Sequence, residues 1–69
     1  MGKNESLYYK KLRFMFPNIG FREGRFLRDL RMQLNEYSIT HPNASYEEIC
    51  SFYGKPEDVL ADYISSREG

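Results

Sequence analysis

The chain holds one histidine, His41, and one cysteine, Cys50. A cysteine–histidine pair becomes a nucleophile only when the imidazole reaches the thiol and a third group orients the ring. Cys50 lies between Ile49 and Tyr53 in an apolar stripe, which suits a small packed side chain. His41 precedes Pro42 in a loop, where a solvated ring is the simplest reading. One thiol and one imidazole do not close a zinc site. Glu47 and Glu48 are adjacent, so on a helix they point about 100° apart and make no paired acid and base. Gly20 and Gly24 lack the remaining spacing of a phosphate-binding loop. The residues that could do chemistry therefore predict no enzyme, no metal, no cofactor and no small-molecule substrate.

Three short patterns also match by spacing. Met1-Gly2-Lys3-Asn4-Glu5-Ser6 fits the myristoylation template. Asn4-Glu5-Ser6 and Asn43-Ala44-Ser45 fit the glycosylation acceptor pattern. With no apolar secretory leader ahead of them, the acceptor patterns read as coincidence. No apolar run approaches the roughly 18 residues that a membrane-spanning helix requires.

What must position any functional surface is a very small core. The 69 residues are 41 % hydrophobic and 16 % aromatic, which excludes a disordered chain. A chain this short buries only roughly 60 % of its unfolded surface, so it is marginal and forms one domain at most. The formal net charge is zero, but the charge is split. Residues 1–33 carry eight basic against three acidic side chains, a net of +5. Residues 34–69 carry two against seven, a net of −5. The two halves either attract one another within the fold, meet an anionic partner or inner-leaflet surface, or join copies head to tail.

Four helices follow from the apolar spacing. The first covers about 4–16 and stops at Pro17. Its apolar residues, Leu7, Tyr8, Tyr9, Leu12, Phe14, Met15 and Phe16, cover more than half the circumference. That is wider than the stripe of a simple surface helix, so it implies burial on two sides or a contact outside the domain. The second covers about 21–38, with Phe26, Leu27, Leu30, Leu34 and Tyr37 on one face. Phe21 and Met32 lie on its far side. The favoured expectation is that the first helix folds back across them; the alternative is an exposed docking patch. The third, about 45–53, opens on a capping box of Ser45 and Glu48, with Ala44 and Ile49 at the staple positions. Gly54 ends it. The fourth, about 56–65, starts at Pro56 with Glu57 and Asp58 at the positive end of the helix. Ser65 to Gly69 reads as a fraying tail.

Nucleic-acid recognition is the main competitor from another class. The turn at Gly54 and Lys55 resembles a helix-turn-helix, but the following helix carries Glu57, Asp58 and Asp62, which would face phosphate. An anionic partner would instead be met by Lys10, Lys11, Arg13 and Arg22, with Arg25, Arg28 and Arg31 drifting around the second helix.

The residues also carry a family likeness. Phe26-Leu27-Arg28-Asp29-Leu30 with Leu34, Asn43-Ala44-Ser45-Tyr46-Glu47-Glu48-Ile49, Phe52-Tyr53-Gly54-Lys55-Pro56-Glu57-Asp58-Val59 and Tyr63-Ile64 together resemble the HAAS domain. That is a small helical signalling domain associated with PadR-type regulators. Tyr9-Lys10-Lys11-Leu12-Arg13 with Phe16-Pro17 is similar to the start of small Firmicutes proteins that share it. In such proteins the helical domain commonly precedes transmembrane helices. The resemblance implies a non-catalytic signalling module in the bacterial cytoplasm, at the inner face of the membrane where it is anchored.

The resulting expectation is an all-α fold, a compact bundle of four helices with a long central second helix and a C-terminal helical hairpin. Residues 1–69 form one domain, with 1–17 as a partner-contacting arm and 21–66 as the HAAS-like core. The expected core is Leu12, Phe26, Leu27, Leu30, Leu34, Tyr37, Ile49, Cys50, Tyr53, Val59, Leu60 and Tyr63. The expected contact surface is Phe14, Phe16, Phe21, Arg25, Arg28 and Met32. Its partner is another protein, whether a regulator, a transmembrane segment or a second copy. Nucleic-acid binding and self-associating structural roles stand as the alternatives.

Overall fold

A computed structural model describes residues 2–68, with side chains described for 2–65. The fold is all-α, and no strand occurs among the described residues. Three longer helices, α1 (Lys3–Met15), α2 (Phe21–Thr40) and α4 (Pro56–Glu68), are joined by a two-turn helix α3 (Tyr46–Tyr53).

The helix starts share one chemical device. In each of α1, α2 and α3 a glutamate stands three residues after the N-cap. The Gly20 N–H donates to Glu23 Oε1 at 3.1 Å, and the Glu5 side chain folds back over Gly2. At α3 the box is reciprocal: the Glu48 N–H donates to Ser45 Oγ at 3.1 Å, and the Ser45 N–H reaches Glu48 Oε1 at 3.5 Å. At α2 and α3 these bonds satisfy amides that a helix start leaves without partners.

The stops are set by proline and glycine. Pro17 holds Phe16 in extended geometry, so α1 ends at Met15. Pro42 follows His41, which leaves helical geometry at φ −130° and ψ 69°, and α2 runs on to Thr40, two residues past the expected Ser38. Thr40 closes that end by donating from Oγ1 to the Tyr37 carbonyl at 3.1 Å. Gly54 takes φ +98° beyond α3, the left-handed region in which a side chain is strained. Helix α4 continues to Glu68, past the expected end near Ser65, and Gly69 lies outside the described residues.

The hub of the molecule is α1, not the long α2. It packs against α2, α3 and α4, and α3 and α4 lean on it more than on one another. The expected arrangement, a central second helix with the C-terminal hairpin packed against it, is thus replaced by one in which α3 and α4 pack chiefly on α1. The reason is the wide apolar arc of α1. Tyr8 and Leu12 are fully buried, and Phe16 is 7 % exposed. Tyr8 was absent from the expected core, as were Phe16 and Ala44.

The core has an aromatic cluster at each end and aliphatic residues between. Phe16, Phe26 and Tyr63 form one cluster, with ring centroids 4.8 to 6.1 Å apart. Tyr8, Tyr46, Tyr53 and Tyr37 form the other, with the exposed Phe52 against the outer side of Tyr37 and Tyr53. Leu12, Leu27, Leu30, Leu34 and Ile49 fill the centre. Phe16 meets Phe26 near the start of α2, while Asn4 Nδ2 donates to the Ala44 carbonyl beyond its end at 3.0 Å, so α1 and α2 run antiparallel.

The first helix does not cover the far face of α2. Phe21 is 88 % exposed and Met32 61 %. The covering expected from the two apolar residues is overturned because the side of α1 opposite its core stripe turns to α3 and α4 instead.

Candidate functional site

Two surfaces of this fold are distinct in kind. The first is a groove of about 980 Å³ between α1, α3 and the start of α4. Helix α1 contributes Lys10, Lys11, Phe14 and Met15; α3 contributes Tyr46, Glu47, Cys50 and Ser51; the turn and α4 add Lys55, Pro56 and Glu57. Phe14 is 90 % exposed at its edge. Lys11 Nζ lies 5.0 Å from the centroid of the Tyr46 ring, within cation–π range.

The groove is held in shape from below by Tyr8. Its hydroxyl donates to the Gly54 carbonyl at 2.7 Å, tying α1 to the α3–α4 turn. Burial, reinforced by the neighbouring Cys50, pushes the Tyr8 hydroxyl well above the ordinary tyrosine value. Burial and then Cys50 raise Tyr46 in the same way. Tyr53 rises through burial, with Tyr37, Glu36 and Glu5 adding to it. All three stay neutral phenols at physiological pH. They serve as packing groups with a polar handle, and none is poised as a base.

The groups singled out for catalysis are not assembled. His41 stacks on Tyr37 with ring centroids 4.3 Å apart, and its Nδ1 lies 2.9 Å from Thr40 Oγ1. Cys50 is a half-buried free thiol that lines the groove. No cluster of three metal-ligating side chains occurs among the described residues.

The second surface is the outer face of α2. Phe21, Gly24, Arg25 and Arg28 line one shallow depression, and Arg28, Arg31, Met32 and Asn35 line the next. Arg28 lines both depressions, with Arg25 in the first and Arg31 in the second, so the arginines step around the helix as their spacing of three predicts. Arg22, Arg25, Arg28 and Arg31 have no carboxylate partner among the described residues. The intramolecular attraction considered for the two charged halves therefore does not run through these arginines.

The expected contact surface is accordingly divided. Phe21, Arg25, Arg28 and Met32 come together on α2, whereas Phe14 belongs to the groove with Lys10 and Lys11. Phe16 is withdrawn from it altogether, since its ring is packed between Phe26 and Tyr63. Arg13 and Arg22 are exposed and line neither surface. The groove itself was missed by sequence reasoning. Its signal was the surplus of Phe14 and Met15 on α1, combined with a Gly-Lys-Pro turn short enough to set Pro56 beside α3.

The chain belongs to the DUF6120 family, a family of unknown function whose pattern matches residues 1–69. The HAAS-like stretch from Phe26 to Ile64 lies wholly inside that match, and nothing in the match ties the family to HAAS domains. No curated protein and no solved structure matches the chain. Among the described residues, no helix is long and apolar enough to cross a membrane.

Proposed function

We propose that the chain is a non-catalytic protein-interaction module of a bacterial regulatory or membrane-associated system, and that the α1–α3–α4 groove receives a helix of its partner. The observation that carries this is Phe14. A phenylalanine 90 % exposed beside the exposed Met15, over a groove wall of half-buried Tyr46 and Cys50, leaves apolar surface in water. Such patches on small soluble domains mark contact sites. A trough between helices takes an amphipathic helix through spaced apolar anchors. Lys10, Lys11 and Lys55 at the rim outnumber Glu47 and Glu57, which favours an acidic flank on that helix. The HAAS-like motifs support a signalling setting, with a regulator or the cytosolic part of a membrane protein as partner.

The test is affinity purification with the native chain and with Phe14→Glu. The expected outcome is a protein retained by the native chain and lost from the variant, with the circular dichroism of the two chains unchanged. Equal recovery by both would remove the groove from the reading.

A second reading, nucleic-acid binding through the basic half, is favoured by the unpaired arginines of α2. A mobility-shift titration at low salt separates the two, because phosphate contacts are strongest there. The interaction reading expects no shift.

A further inference from the structure

We infer that the outer face of α2 docks the acidic face of α4 in a second copy of this chain. This surface is separate from the groove, so the inference stands or falls independently of it.

The argument begins with like charges left side by side. Arg25 and Arg28, and Arg28 and Arg31, are three residues apart on α2. Asp58 and Asp62 are four apart on α4. Neighbours at these spacings face one another, and like pairs repel. Neither set is paired within the chain: all five residues are exposed, and none has an oppositely charged contact among the described residues, although Asp29 stands four residues after Arg25 and Lys55 three before Asp58.

Each set offers what the other lacks. Arginine forks pair with carboxylates in a bidentate manner, and the two rows have comparable spacing along their helices. Phe21 and Met32 flank the arginines and supply apolar area that a purely ionic contact would not have. A net charge of zero removes the general repulsion that would otherwise keep copies apart. An acidic protein of another kind would also satisfy the arginines. It would leave Asp58 and Asp62 unrelieved, whereas a second copy answers both faces with one contact. Because the two faces differ, the contact is heterologous, and copies add head to tail unless the geometry closes.

The test uses the full chain in sedimentation experiments over a wide concentration range. At low salt the average mass should rise with concentration from 8.2 kDa to at least twice that value. At about 0.3 M salt it should fall back to the monomer, since exposed charge contacts are screened there. Arg25→Glu/Arg28→Glu and Asp58→Lys/Asp62→Lys should each be monomeric alone and should associate when mixed. Circular dichroism of each variant checks that it is folded, and the salt response of the native chain requires no variant. A native chain that stays at 8.2 kDa throughout overturns the inference. So does association that survives the arginine changes, or a mixture that fails to associate. A monomer that instead binds phosphatidylserine vesicles through Arg25 and Arg28 overturns it in favour of a membrane surface.

Discussion

Helices α1 and α2 are both amphipathic by spacing, yet the molecule uses them in opposite ways. Helix α1 turns one side to α2 and the other to α3 and α4, so its surplus apolar residues become core or groove wall. Helix α2 buries one stripe, Leu27, Leu30, Leu34 and Tyr37, and leaves its other side to arginines, Phe21 and Met32. The contrast separates residues that hold the fold from residues left over for contacts. In a chain this short the first group is small, so each member matters.

The sharpest way to break the contrast is to cut the hub. Leu12 is fully buried on α1 at the centre of the core. Leu12→Ala should cost about 2–5 kcal/mol, a large share of what a small domain has. Urea unfolding followed by circular dichroism reads it. A loss below about 1 kcal/mol would mean that α1 is not the hub.

Next comes the tie between α1 and the α3–α4 turn. Tyr8→Phe removes the donor to the Gly54 carbonyl and should cost about 1–3 kcal/mol through the carbonyl left unpaired. Gly54→Ala should cost about 1–2 kcal/mol. The strain comes from φ +98° and not from crowding, since an added Cβ would sit 3.6 Å from Val59 Cγ2, an ordinary contact.

The same tyrosine sets an alkaline limit. Burial raises Tyr8 above its ordinary value of 10.0, so the folded state holds the phenol proton more tightly than the unfolded chain. Below pH 10 both states are protonated and stability is unaffected by this group. Above it the unfolded chain loses the proton first, and stability falls with rising pH. Tyr46 and Tyr53 act in the same direction. Stability measured from pH 9 upward should decline past 10, and less steeply in Tyr8→Phe. An unchanged slope in that variant would place the hydroxyl in water.

Local signals in the sequence carried far in this fold, and long-range ones did not. The Ser45–Glu48 box, the stop at Gly54, the start at Pro56 and the all-α class all rest on chemistry within a few residues. So does the buried stripe of α2. Which helix forms the hub was not legible. It depends on how a helix with an apolar arc wider than half a turn divides that arc among three neighbours, and no spacing rule decides this. Phe16 illustrates the point. Next to Pro17 and at the end of a helix it looks spare, yet the turn at 17–20 folds it onto Phe26 and Tyr63. The groove was hidden for the same reason, because its walls lie about forty residues apart in sequence. The exposure of Phe21 and Met32 was legible only as one of two alternatives, and the structure chose the less favoured.

The smallest effect is expected where the two helices differ most. Phe21→Ser and Met32→Ser remove large apolar groups, but from positions 88 % and 61 % exposed, so little transfer energy and no packing is lost in the isolated chain. Each should change stability by no more than about 0.5 kcal/mol, or a few degrees in Tm. Measuring both variants at low and at high protein concentration gives the comparison its final edge. A cost that stays negligible in dilute solution and grows with concentration assigns these side chains to a contact between copies. A cost near 2 kcal/mol in the dilute monomer would place them in the core with Leu12 and abolish the distinction between the two helices.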